Sequence, residues 1–258
     1  MSFSLNNSNA FYCISFPLTG YPFSFAGWFR VPATPALTYL MGVASLATGA
    51  RCDLLYAGNG SKEAIARTMF GSSGSAYSTS PMVESQWHHL AAVFASDSDR
   101  KVYLDGGNVG TNNVSLAIGP LDFCYFGNGY STTTVDVGEI SLVGAALSSE
   151  EVLALSRGVS ILALADSSQL ITYHDCIRSA MRPRLGPDFF SSGSLVVKDH
   201  PRATYANGGT PVAMPNRIRG PFRIEEALAR ASSDAAGQCA IAGSYAANSF
   251  LPGEVVSQ

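Results

Sequence analysis

Short apolar runs recur along most of the chain, separated by clusters of Gly, Ser, Asn and Asp. Runs of this length with turn residues between them predict an all-β sandwich or barrel. The pattern predicts strands at Phe11–Phe16, Phe23–Val31, Leu37–Ala44, Asp53–Ala57, Ala64–Phe70, Trp87–Ala95, Lys101–Leu104, Leu121–Phe126, Val135–Val143 and Leu170–His174. The intervening breaks are Gly58-Asn59-Gly60, Gly71-Ser72-Ser73-Gly74, Asp105-Gly106-Gly107-Asn108 and Gly127-Asn128-Gly129. Asp105-Gly106 sits where a two-residue hairpin needs positive φ. Within the second run, alternation puts Phe23, Phe25 and Phe29 on one face and Trp28 on the other. His89–Phe94 is apolar on both faces, as a central strand is. Val135 and Val137, then Ile140 and Leu142, change phase at Gly138-Glu139, which predicts a bulge there.

One helix interrupts the strands. Ser148 precedes Glu150 and Glu151, Val152, Leu153 and Leu155 follow, and Arg157-Gly158 closes the segment. This is a cap, an acidic first turn and a glycine stop. A second helix is predicted at Ile224–Ser232. Beyond about residue 200, Pro201, Pro211, Pro215 and Pro221 break any long element, and large apolar residues become too sparse for a separate core. The chain therefore divides into a sandwich at 1–205 and an extended C-terminal arm at 206–258.

Composition narrows the partners. Charged residues are 14%, apolar residues 47%, and the net charge is −3, so the chain is too apolar to be disordered and carries no basic run for nucleic acid. No apolar stretch reaches the ~18 residues of a spanning helix, so no membrane partner is expected. Met1–Asn7 lacks a basic n-region and an apolar h-region, which predicts synthesis and retention in a cytoplasm, or exit without a signal. Cys13, Cys52, Cys124, Cys176 and Cys239 form no CxxC pair and read as buried thiols.

Gln86-Trp87-His88-His89-Leu90-Ala91-Ala92-Val93-Phe94, followed by Lys101-Val102-Tyr103-Leu104-Asp105-Gly106, resembles the laminin-G-like branch of the concanavalin A-like lectin/glucanase superfamily. Phe23–Phe29, Phe126-Gly127-Asn128, Gly138-Glu139-Ile140 running into Ala146–Glu151, and Leu170-Ile171-Thr172-Tyr173 match in the same order. The resemblance spans roughly residues 1–200. It implies a two-sheet antiparallel jelly-roll sandwich with one short edge helix, the C-terminal arm lying outside it.

Relatives that cleave glycans need two carboxylates flanking the bond. Asp136 and Glu139 are the nearest approach, and three residues apart they fall on opposite faces of a regular strand. Calcium-binding relatives use rim carboxylates and carbonyls. Asp122, Asp136 and Glu139 are weak candidates, with Asn128 as a carbonyl donor, and Ser141 stands where many relatives carry an acid. Neither a catalytic set nor a required cofactor is therefore expected. His88 and His89 are adjacent, so their rings point to opposite sides of a strand and cannot share an ion. Tyr77, Tyr125 and Tyr130, near Gly/Ser-rich loops, are candidates for stacking on sugar.

Laminin-G-like sandwiches occur in tailed-phage structural proteins. The resemblance thus implies a non-enzymatic virion component, a capsid decoration, cement or fibre-associated subunit, made in the host cytoplasm and bound to other virion proteins or to copies of itself. Arg217, Arg219 and Arg223 would donate to a neighbour, and Phe222, Ile224 and Leu228 would anchor the arm in an apolar groove. The alternative is a carbohydrate-binding module for surface glycans, with calcium as its possible cofactor.

Overall fold

The computed structural model describes residues 2–5, 11–33, 37–58, 60–127, 133–164, 168–176, 186–187, 190–191 and 196–198. Asn128, Tyr130, Cys239, His200, the helix expected at Ile224–Ser232, the 206–258 arm and its six anchor residues lie outside them.

Among the described residues the strands are β1 (Ser2–Leu5), β2 (Phe11–Leu18), β3 (Phe23–Arg30), β4 (Leu37–Ala44), β5 (Arg51–Ala57), β6 (Ala64–Phe70), β7 (Ser72–Tyr77), β8 (Trp87–Ser96), β9 (Asp99–Leu104), β10 (Gly107–Asn112), β11 (Leu121–Phe126), β12 (Val135–Val143), β13 (Leu170–His174), β14 (Phe190–Ser191) and β15 (Val196–Lys198). The helices are α1 (Ser149–Ser156) and α2 (Ile161–Leu164). One sheet runs β10-β9-β8-β3-β12-β1-β15, with β13 also on β12; the other runs β14-β2-β11-β4-β5-β6-β7. The two antiparallel sheets stack as a jelly-roll sandwich. Their facing sides bury Phe23, Phe25, Phe29, Phe94, Leu54 and Phe126 in one core. Each such side chain contributes about 1.5–3 kcal/mol by leaving water.

Strand β8 explains why one sheet carries helices. Leu90, Ala92 and Phe94 enter the inter-sheet core, whereas Ala91 and Val93 face the other way and pack with Val152, Leu155 and Ile161. The expected short helix is α1, and it lies over the face of β3 and β8 with α2 beside it. Ser148 caps it in a reciprocal box: its hydroxyl accepts from the Glu151 N–H at 3.2 Å, and the Glu151 carboxylate accepts from the Ser148 N–H at 2.7 Å. Gly158 follows at φ 87°.

The phase change in β12 is a bulge. Its register against β3 shifts between Gly138 and Ser141, with Glu139 at φ 52°. The extra residue lets Val135 and Val137 and then Ile140 and Leu142 all reach the core. Asp105 and Gly106, at φ 54° and 77°, make the expected hairpin turn.

Two expected breaks are strands instead. Ser72-Ser73-Gly74 belongs to β7, which pairs along its length with β6, and Gly107 opens β10. Strand propensity there is low, and pairing with an already formed neighbour overrides it. The two strands are the free ends of their sheets, and they meet: Gly110 lies against the Tyr77 backbone with no room for a Cβ, and the Thr79 N–H donates to the Asn108 carbonyl at 3.1 Å. Each thereby covers the other's edge. Arg100 closes this corner from inside. It is fully buried and donates to Asn112 Oδ1 and, at 2.7 Å each, to the carbonyls of Asp97 and Val114. Among the described residues no helix is long and apolar enough to cross a membrane.

Candidate functional site

The outer face of the seven-stranded sheet carries a polar and aromatic array that follows from strand register. Cys52, Leu54 and Tyr56 of β5 point into the core, so Arg51, Asp53 and Leu55 point out; Ala64 and Ala66 of β6 point in, so Ile65, Arg67 and Met69 point out. Direct cross-strand partners then line up as Tyr12, Tyr125, Gly42, Asp53, Arg67 and Ser75.

Asp53 is the hub of this row and is completely buried. Its Oδ1 accepts from the Tyr125 hydroxyl at 2.7 Å. Its Oδ2 accepts from Arg67 Nη2 at 2.8 Å and Nε at 3.3 Å, with Arg51 Nε at 3.5 Å. Gly42 makes the arrangement possible: a Cβ there would lie 2.5 Å from the Tyr125 oxygen, so only glycine lets the phenol cross β4. Tyr39 sits under both arginines. Its ring centroid is 5.5 Å from the Arg51 guanidinium carbon and 5.3 Å from that of Arg67, and its hydroxyl accepts from both, at 3.3 and 3.0 Å. Asp53, by charge and by hydrogen bond, outweighs the cost of burial and raises the Arg67 pKa. Arg67 is therefore held in its charged form.

Toward the β6–β7 hairpin the face opens. The Arg51 and Arg67 side chains are 22% and 14% exposed, whereas Phe70, beside the hairpin, is 47% exposed. A solvent-open cleft lies at this end, lined by Thr48, Gly49, Met69, Phe70, Ser72 and Ser73. Arg51 donates to the Met69 sulfur at 3.2 Å, so the arginine network borders the cleft.

The residues singled out from sequence fall in separate places. Asp122 is on β11, where its carboxylate accepts from the Leu46 N–H at 2.8 Å. Asp136 is on the other sheet, held by Arg30 Nη2 at 2.6 Å and by the Ser4 hydroxyl. Glu139 turns onto the same outer face as Asp136 because of the bulge, but it is buried in a small chamber beneath α1 and α2 with Trp28, His89, Ser141 and Tyr173. Ser141 donates to the Ala26 carbonyl at 3.1 Å. The three acids do not converge, and among the described residues no group of three or more His, Cys, Asp and Glu is placed to hold a metal ion. Tyr125 is a correction to the stacking set: at 1% exposure, with its hydroxyl on Asp53, it is part of the scaffold and cannot stack on a sugar. Tyr77 is exposed on β7.

The adjacent histidines face opposite ways, as alternation requires. His88 Nδ1 lies 2.7 Å from Asp105 Oδ2. Burial lowers its pKa, but the Asp105 hydrogen bond and charge and the Val83 backbone outweigh it and leave it raised. His89 stacks edge-on with Trp28 at 5.3 Å, and burial pushes it down to about 4. Cys13, Cys52, Cys124 and Cys176 are buried free thiols, and burial raises all four pKa values. Burial thus disfavours the thiolate that a nucleophilic cysteine needs.

Sequence reading missed Arg51, Asp53, Arg67 and Tyr39. The available signal was the outward phase of Arg51 and Asp53 in one strand and of Arg67 in the next.

The family model described as the concanavalin A-like lectin/glucanases superfamily, of laminin-G type, matches residues 5–153. That is more than half of the chain, and the protein belongs to this superfamily. Among solved structures, a heptameric SAP-like pentraxin from Limulus polyphemus superposes with a TM-score of 0.57 at 11% identity, over 77% of this chain and 94% of that one. A candidate carbohydrate-binding protein from Bacteroides ovatus superposes with a TM-score of 0.56 at 13% identity, over 77% of this chain and 59% of that one. At these identities the likeness is one of fold. The comparison with curated proteins returns no match.

Proposed function

We propose that this protein is a non-enzymatic adhesion module that holds saccharide at the β6–β7 end of its seven-stranded sheet. The observation that carries this reading is the commitment of Asp53. A glycosidase on this face needs two carboxylates placed about the bond. The strands of this sheet carry two, Asp53 and Asp122. Asp53 is spent on two arginines and a tyrosine, and Asp122 on a backbone N–H. What remains at the open end is binding chemistry: guanidinium edges, an exposed aromatic ring, and serine hydroxyls beside a cleft. The superfamily fold and the jelly-roll neighbours support a binding role in general terms.

The finer setting is a virion of a tailed phage, with the module as a decoration, cement or fibre-associated subunit. The family resemblance supports it, as do the low charge content and the Pro-punctuated 206–258 segment, with Arg217, Arg219, Phe222, Arg223, Ile224 and Leu228 as its grip on a neighbour.

The test is a saccharide array probed with the full chain, run in calcium and in chelator, beside a reducing-end assay on every polymer retained. Retention without release of reducing ends is expected. Hydrolysis that Asp53→Asn abolishes would overturn the reading, as would an array with no retained saccharide. For the assembly, the expected result is oligomer on a sizing column that Arg217→Ala, Arg219→Ala and Arg223→Ala together reduce to monomer; unchanged migration removes the arm from the account.

A further inference from the structure

Resting on that reading, we infer that the saccharide is a neutral one, held without calcium, the apolar face of a sugar ring lying on Phe70 and its hydroxyls meeting those of Ser72 and Thr48. The lining of the cleft leads to this. Thr48, Ser72 and Ser73 bring hydroxyls, Met69 a thioether and Phe70 a ring; the remainder is glycine, and no ionisable side chain takes part. The charged groups bonded to its borders are one of each sign and stand outside it. Arg51 donates to the Met69 sulfur at 3.2 Å, and Asp122 accepts at 2.8 Å from the N–H of Leu46, two residues before Thr48. An acidic sugar would give up part of its hydration here with no cation in the lining to replace it. A calcium ion would find no carboxylate there.

Register puts the ring and a hydroxyl side by side. Phe70 and Ser72 are direct partners across the β6–β7 turn, so they share one face of the hairpin end. Gly71, at φ 69°, reverses the chain between them in a single residue. Both side chains are available to a ligand. Phe70 is half-exposed and Ser72 exposed, and among the described residues Phe70 stacks on no other ring and the Ser72 hydroxyl makes no hydrogen bond. Thr48, on the turn between β4 and β5, accepts at its Oγ1 from the Ala50 N–H at 3.3 Å and keeps its own proton to donate. A sugar ring carries an apolar C–H face that suits an aromatic face, and a rim of hydroxyls that both give and accept hydrogen bonds. A wholly apolar ligand would leave Ser72 and Thr48 unused, and a bare ion would leave Phe70 unused.

The experiment measures retention of the full chain by dextran, mannan and galactan as neutral polymers, joined by any neutral glycan the array retains, and by polygalacturonate and dextran sulfate as acidic ones. The variants are Phe70→Ser, Ser72→Ala and, in the loop between β7 and β8, Val83→Ser, which removes an exposed apolar side chain outside the cleft. The wild type should be held by at least one neutral polymer and by neither acidic one. Its retention should stay within about twofold through a tenfold rise in salt and be the same in chelator. Phe70→Ser should weaken it about tenfold and Ser72→Ala about fivefold, and Val83→Ser should leave it unchanged. All three side chains are exposed or half-exposed, so the variants stay folded, and melting temperatures confirm this. Retention by acidic polymers alone, falling as salt rises, overturns the neutral assignment and leaves the adhesion reading standing. Loss of retention in chelator overturns the calcium-free site. Neutral retention that neither Phe70→Ser nor Ser72→Ala weakens, or that Val83→Ser weakens as much, overturns the placement in the cleft. Failure to retain any saccharide, neutral or acidic, overturns the adhesion reading itself.

Discussion

His89 gives this fold a pH dependence that can be worked from its surroundings. The imidazole is 2% exposed, lies under α1 and α2, and contacts Trp28 edge-on. Protonating it would bury a cation among Leu155, Val159 and Ile161. Its pKa is accordingly lowered from 6.5 to about 4, burial being the cause and the Asp105 charge a smaller opposing one. A depressed folded pKa means stability that is complete above 6.5 and is lost as pH falls toward 4, because the unfolded chain takes up the proton first. The loss over that window is about 3 kcal/mol. His88 works in the other direction: its raised pKa contributes stability that is full below 6.5 and fades as pH rises. The wild-type curve therefore mixes two opposed contributions, and the informative quantity is a difference. Urea denaturation of the wild type and of His89→Phe, at intervals from pH 7.5 to 4, should give curves that diverge by about 3 kcal/mol as pH falls, the phenylalanine protein losing less. His88 is common to both and cancels. Glu139 shares the chamber, so Glu139→Gln in both backgrounds checks its part. Parallel curves would refute the reasoning, because they would mean that the proton reaches His89 without cost.

Two further substitutions probe the sandwich. Gly42→Ala should destabilise the protein by about 1–3 kcal/mol, since its Cβ displaces the Tyr125 phenol from above β4; in a Tyr125→Ala background the penalty should nearly vanish, as read by a double-mutant denaturation cycle. Arg100→Lys should cost about 3 kcal/mol in the same assay, because an ammonium cannot reproduce the fork that reaches Asn112 and the Asp97 and Val114 carbonyls.

The adjacent histidines show how local sequence and tertiary surroundings divide the explanation. Alternation alone requires the two rings to face opposite sides. It says nothing of their opposite pKa shifts, which depend on Asp105 lying across a hairpin and on helices laid over β8.

What the sequence determined by itself is what depends on neighbours within a few residues. The two-residue rhythm of Phe23, Phe25 and Phe29, the slip at Gly138-Glu139, the Asp105-Gly106 turn and the Ser148–Glu151 box each carry their own steric or hydrogen-bonding cause, and each is found where the pattern puts it. Strands β7 and β10 escaped because Ser and Gly have weak intrinsic preference there, and only a pre-formed partner strand fixes their backbone. The Asp53 hub escaped for a related reason. Tyr39, Asp53, Arg67 and Tyr125 lie on four different strands, and register between strands is decided by which faces the assembled core must bury. Until β11, β4, β5 and β6 are laid side by side, the shared outward phase of Arg51 and Asp53 does not say that Arg67 and Tyr125 will close on the same carboxylate.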